Sequence, residues 1–167
     1  MATAHAGRKS GRAKQWWGLA AWLLLCLLVS GLGGAVTASS VNDWYTTLHK
    51  PPFNPPDWVF APVWSALYLM MAVAAWRVWR LPASRLRTRG LQVFGVQLAL
   101  NLAWSFLFFG WQRMDLALLD ILLLLGLIAL NLRLFLQLDR PAGWLLLPYL
   151  GWVAFASVLN ASLWWLN

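Results

Sequence analysis

Three sets of aromatic and hydrogen-bonding residues recur at helical spacing in this chain. They are Trp64, Ser65, Tyr68 and Met71; then Gln97, Asn101, Trp104, Ser105 and Phe108; then Tyr149, Trp152, Ala156 and Asn160. Steps of three and four residues bring each set onto one face of a helix. Indole and phenol faces stack on flat apolar molecules, and a few amide and hydroxyl groups fix their orientation. The chemistry on offer is recognition of a planar, largely apolar ligand with some polar edges. Ordinary packing between helices, with Ser, Asn and Gln bonding across them, would use the same residues. Three such faces beside a stiff aromatic loop favour a pocket.

Conventional catalysis has little to work with. The histidines are His5 and His49, with no metal-ligand spacing around either. No Ser-His-Asp or Cys-His set can be assembled, so the expected metal content is none. His49 as an axial haem ligand competes with a plain exposed loop histidine. Lys50 would pair with a ligand carboxylate or sit in water. Asp120 is expected to be a hydrated carboxylate near an interface. Cys26, the single cysteine, excludes a disulfide and reads as a small buried hydrophobe.

The elements that must position these residues follow from composition. Of 167 residues, 61% are hydrophobic and 11% charged, against about 25% charged in a soluble domain. Charge-free runs cover Gln15 to Asn42, Trp58 to Trp76, Gly90 to Gln112 and Pro141 to Asn167, and Leu116 to Leu132 is interrupted only by Asp120. About 20 apolar residues cross a bilayer as a helix. The fold class expected is therefore an all-α membrane protein, a five-helix transmembrane bundle. A soluble enzyme, a disulfide scaffold and a disordered tail are excluded.

The expected organisation is a flexible basic tail over residues 1–14 and a transmembrane domain over 15–167. Its spans are placed at about 15–36, 55–80, 90–109, 114–137 and 142–166. A signal peptide competes for the first span, because small residues near Ala35 to Ala38 resemble a cleavage site. The apolar stretch is long for that role, and a retained helix is preferred.

The loop between the first two spans carries Trp44, Tyr45, Leu48, Phe53 and four prolines at 51, 52, 55 and 56. These prolines make Lys50 to Pro56 stiff and poor in hydrogen bonds. Asn54 is expected to cap the second span with Pro55 at its first position. Pro62 and Pro148 are expected to bend the helices that hold them.

The net charge is +8, and its distribution argues against nucleic acid as a partner. Arg8, Lys9, Arg12 and Lys14 precede the first span, Arg77 to Arg89 follow the second, and Arg133 and Arg140 end the fourth. With the N-terminus cytoplasmic, nearly all the basic residues lie on that side, beside anionic headgroups of membrane lipids. The long loop and the C-terminus are then periplasmic, and a bacterial inner membrane is the expected location. Most of the 14 tryptophans fall near span ends, as interfacial anchors do. Trp44, Trp64, Trp104 and Trp152 are left as pocket candidates.

The stretches WYTTLHKPPFNPPDWVFAPVWSALYLMMAVAAWRVW, NLAWSFLFFG and PYLGWVAFASVLNASLWWLN resemble the translocator protein family. That family includes bacterial tryptophan-rich sensory proteins and mitochondrial peripheral-type benzodiazepine receptors. The resemblance covers residues 16 to 167. It implies five helices around a pocket capped by the first loop, a retained first helix, and binding of protoporphyrin IX or haem as ligand, with no obligatory cofactor. It further implies a receptor or sensor role, with light- and oxygen-dependent porphyrin degradation in some bacterial members. Trp64 and Trp152 would be the tryptophans taking part. Tyr45, Tyr68, Asn101, Trp104 and Ala156 would line the pocket, beside Ser105, Phe108 and Tyr149 from the helical faces. A transporter or carrier of porphyrin, sterol or lipid without chemistry is the alternative. Here Asn160 is followed by ASLWWLN, without the basic residue of the animal sterol motif, which weakens a sterol reading. A homodimer is expected, with Gly95, Ala99 and Ala103 as a close-packing ridge.

Overall fold

The structure, a computed structural model, describes residues 3–167, with side chains from Gln15 onward. The expectation of a flexible tail over residues 1–14 falls outside the described side chains. Six α-helices form: α1 (Thr3–Val41), α2 (Trp44–Thr47), α3 (Phe60–Trp79), α4 (Arg85–Ser105), α5 (Met114–Leu138) and α6 (Arg140–Leu166). A 3₁₀ turn (Asp57–Val59) leads into α3, and a π turn (Phe106–Gly110) ends α4. Five helical segments are long and apolar enough to cross a membrane: Gln15–Val41, Asp57–Trp79, Arg85–Gly110, Met114–Leu138 and Arg140–Leu166. The expected all-α five-helix architecture is observed.

Several boundaries differ from expectation, each for a local reason. The first span continues past position 36 to Val41, because its hydroxyls find carbonyls. Thr37 donates to the Gly33 carbonyl (2.9 Å), Ser39 to Val36 (2.6 Å), and Ser40 to Phe109 across the bundle (2.7 Å). The third span begins at Arg85 rather than position 90. Ser84 caps it, accepting from the Arg87 amide at 3.1 Å, and arginines in a first turn can reach out to the headgroup layer. The last span begins at Arg140, capped by Asp139, whose Oδ1 accepts from the Ala142 amide at 3.2 Å.

Asn54 is not the helix cap. The 3₁₀ turn starts two residues after Pro55, behind Pro56 at φ −57° and ψ 141°, without a side-chain cap. Pro62 falls in the first turn of α3; its missing N–H costs little there, so it is not a mid-helix break. Pro148 lies inside α6, and the helix runs through it.

The five long helices form a closed ring in the order α1, α3, α6, α5, α4. One end of the ring is solid. Met71, Ala72, Ala75, Val78, Phe94, Phe135, Ala142 and Leu146 are completely buried there, and Phe94 stacks on Phe135 at 6.1 Å between ring centroids. Arg77 of α3 pairs with Asp139 at the start of α6 (3.1 Å), and Asn131 of α5 donates to the Gly90 carbonyl of α4 (2.9 Å). Outward-facing Leu24, Leu28, Leu119, Leu122 and Leu123 leave an apolar surface suited to hydrocarbon. Trp16, Trp17, Trp58, Trp111, Trp144, Trp164 and Trp165 are exposed near the ends of the apolar spans, as an aromatic belt requires.

Candidate functional site

At the opposite end the ring is hollow. A cavity of about 410 Å³ lies between α1, α3, α4 and α6, under the loop that follows α1. Pockets for small organic ligands fall at about 300–1,000 Å³, so this volume is of ligand size. The indoles of Trp64 (α3), Trp104 (α4) and Trp152 (α6) all line it. Each is braced by other rings. Trp64 sits 5.8 Å from Tyr68 and 6.3 Å from Tyr149, Trp104 stacks on Phe108 at 5.1 Å, and Trp152 contacts Phe60 at 5.8 Å.

The π turn has a direct part in this. Widening the last turn of α4 lets the consecutive residues Phe108 and Phe109 both face inward, and both are buried. Gln112 then takes a left-handed conformation (φ 56°), while the Trp111 and Arg113 amides satisfy the Phe106 and Leu107 carbonyls at 2.7 and 2.9 Å. Such turns are enriched where a helix must re-aim side chains.

The floor is polar and almost fully bonded. Tyr68 donates to Asn101 Oδ1 at 2.7 Å, and Asn101 Nδ2 donates to the Tyr149 hydroxyl at 2.8 Å. Asn101 thus joins α3, α4 and α6. An amide has two donor hydrogens and two acceptor lone pairs, so one hydrogen and one lone pair of Asn101, a residue of the cavity wall, have no partner among the described residues. Nearby, Trp104 Nε1 donates to Asn160 Oδ1 (3.0 Å), and Asn160 Nδ2 donates to the Met114 carbonyl (3.0 Å). Trp152 differs: its Nε1 is buried and has no acceptor among the described residues.

The lid is the loop between α1 and α3. Tyr45 is buried beneath it and donates to Asn54 Oδ1 at 2.9 Å. Burial, and secondarily the Asp57 carboxylate, push the Tyr45 hydroxyl up to about 12, against a smaller opposing effect of the Asn54 bond; it stays a neutral donor. Lys50 Nζ lies 4.3 Å above the Tyr45 ring, a cation–π contact that occupies the loop's ammonium group. The lid is latched to the end of α6. Asn167 Oδ1 accepts from the His49 amide (2.9 Å), and its Nδ2 donates to the His49 and Leu163 carbonyls (3.1 and 2.9 Å). Removing this latch in Asn167→Ala will speed amide exchange across residues 48–54 by about fivefold, the equivalent of one net hydrogen bond. Exchange in α3 to α6 should stay as it was. Equal loop rates in the two proteins would show that something else holds the lid.

Of the ten site residues expected from sequence, nine meet on the cavity wall: Tyr45, Trp64, Tyr68, Asn101, Trp104, Ser105, Phe108, Trp152 and Ala156. Tyr149 does not; it is completely buried behind the wall, where it supports Asn101. Trp44 packs edge-on against Phe108 at 5.7 Å instead of lining the cavity. His49 is exposed, with its backbone bound to Asn167. Asp120, expected as a hydrated carboxylate near an interface, is buried, at 8% exposure. Cys26 is buried as a hydrophobe. Among the described residues no three His, Cys, Asp or Glu side chains converge as a metal site needs.

Sequence reasoning missed one whole wall. Ser30, Gly33, Gly34, Thr37 and Ala38 of α1 line the cavity. They carry no aromatic or amide group to advertise them, only a run of small residues at helical spacing. That pattern was the available signal.

The bundle is therefore an integral membrane protein with an aromatic, ligand-sized chamber under a proline-rich lid. The sequence profile of the TspO/MBR family matches residues 22–166, and the chain belongs to that family. It is 43% identical to the tryptophan-rich protein TspO of Chlorobaculum tepidum, over 89% of this chain and 95% of the relative. It is 39% identical to the translocator protein of Bos taurus, over 91% of each. Against the tryptophan-rich sensory protein of Cereibacter sphaeroides the identity is 37%, over 83% of this chain and 88% of the relative.

Proposed function

We propose that the chain is a membrane receptor or sensor for a tetrapyrrole such as protoporphyrin IX or haem. The supporting observation is the convergence of Trp64, Trp104 and Trp152 on one cavity. Three indole faces suit a flat macrocycle, and the amide of Asn101, which lines the cavity, suits its few polar edges. The names of the relatives, sensory protein and translocator protein, agree with a receptor role. The decisive experiment is a titration of the protein in lipid nanodiscs with protoporphyrin IX, read by tryptophan quenching. Saturable quenching is expected; a linear, non-saturating response would end the reading.

Where the ligand is also degraded in light and oxygen, Trp64 and Trp152 are the side chains that the family resemblance assigns to the reaction, and both line the cavity. The Trp64→Phe/Trp152→Phe variant should still bind the pigment, since phenyl rings keep the apolar contact, but should bleach it several-fold more slowly under illumination. Unchanged bleaching would remove the photochemical role and leave binding. A carrier without chemistry draws on a different observation: Gly34, Ala38, Ala61 and Ser65, from the facing helices α1 and α3, line the cavity and are exposed. Product analysis after illumination separates the two, because a pure carrier returns its pigment intact.

A further inference from the structure

The chamber under the lid holds a single formal charge. Among the described residues that line it, Asp57 alone is charged, and the other polar groups are hydroxyls, amides and indoles. Asp57 is exposed at the first residue of its membrane span, in the 3₁₀ turn that leads into α3. The ion pairs among the described residues are Arg77–Asp139 and Arg113–Asp115, so among them no cation pairs with the Asp57 carboxylate. Lys50 is engaged elsewhere, its Nζ over the Tyr45 ring, and does not line the chamber. The carboxylate does act on the wall: after burial itself, it is the Asp57 charge that raises the Tyr45 hydroxyl. Part of its role is local, because the positive end of α3 favours an anion. That role needs an acidic residue somewhere in the first turn, not one on the cavity wall.

We infer that Asp57 sets the charge selectivity of the chamber, weakening its hold on carboxylate edges of a planar ligand and strengthening it on protonated amines. The inference rests on the tetrapyrrole reading above and narrows it. Low-dielectric walls concentrate the field of a charge inside a cleft, and no cation on this wall cancels it. A macrocycle whose side chains end in esters or amides enters without electrostatic cost. One with free carboxylates binds against the field of Asp57. The same ring bearing amines gains from it.

The test compares three porphyrins with one ring, on the full chain in phosphatidylcholine nanodiscs at low ionic strength. They are protoporphyrin IX, its dimethyl ester and its bis(aminoethyl)amide, each titrated by tryptophan quenching. Affinity ratios within one protein are the readout, because a general change in the fold moves all three affinities together. Asp57→Asn should raise the affinity for protoporphyrin IX about threefold relative to the ester, and lower that for the amine about threefold. Both shifts should shrink in about 1 M salt, where charges are screened beyond about 3 Å. Saturable binding of all three with ratios that Asp57→Asn leaves unmoved overturns this inference alone. No saturable binding by any of them ends the tetrapyrrole reading, and this inference with it. An equal shift from Asp43→Asn, on the same loop but outside the chamber lining, would mean ordinary surface potential and overturn the assignment. Ratios that follow Lys50→Gln and ignore Asp57→Asn would give the mouth to the ammonium group, and equally overturn it.

Discussion

Gly143→Ala is expected to lower the stability of the bundle by about 3 kcal/mol, the upper end of the usual range for an overpacked core. A Cβ at position 143 would lie 2.5 Å from the Leu136 side chain and 2.8 Å from the Leu136 backbone nitrogen. A side chain can rotate away from such a clash. A backbone nitrogen in the last turn of α5 moves only with the helix, so α5 and α6 must separate. The consequence reaches the cavity, because α6 carries Trp152, Ala156 and Asn160. The companion substitutions Gly126→Ala and Gly151→Ala meet no neighbouring atom within 4 Å. Both should be neutral, or stabilising by up to about 1 kcal/mol through helix propensity. Unfolding of the three variants in one detergent, followed by circular dichroism, checks the set. Equal loss in all three would mean that glycine itself, not close approach, matters in these helices.

How much of this was legible beforehand follows from where the physical signals sit in the chain. Apolar length alone defines the five spans, because a bilayer leaves a helix no other way to satisfy its backbone. Trp64, Tyr68, Asn101, Trp104, Trp152 and Ala156 were legible because side chains at three- and four-residue steps share a face whatever the packing around them. Boundaries were less legible, since charge-free runs underestimate helices whose first turns hold arginine, as at Arg85. The α1 wall was hidden because Gly33, Gly34 and Ala38 look the same whether they face lipid, a neighbour or a cavity. Tyr149 was assigned one layer too far inward on the ligand side: helical phase puts it beside Trp152, but only tertiary structure shows Asn101 standing between it and the cavity. The π turn had no sequence mark beyond FLFFG, and it is the feature that turns two successive phenylalanines inward.

Asn101 is where stability and recognition meet, and the two can be separated. Asn101→Leu removes the bridge between two buried hydroxyls and leaves Tyr68 and Tyr149 unpaired. Hydrogen bonds between membrane helices are worth about 0.6 kcal/mol each on average and up to about 1.7. The single substitution should therefore cost about 1–3 kcal/mol of stability, together with about tenfold in protoporphyrin affinity through loss of a charge-neutral polar contact. The informative protein is the triple variant Tyr68→Phe/Asn101→Leu/Tyr149→Phe. With all three partners apolar, no buried group is left unsatisfied, and most of the lost stability should return. Affinity should not return with it, because the amide facing the ligand is still absent. Recovery of both in the triple variant would mean that Asn101 only braces the wall, and that the polar edge of the ligand is met elsewhere, with the Trp152 N–H as the remaining donor. Recovery of neither would mean that the leucine misfits the floor of the cavity.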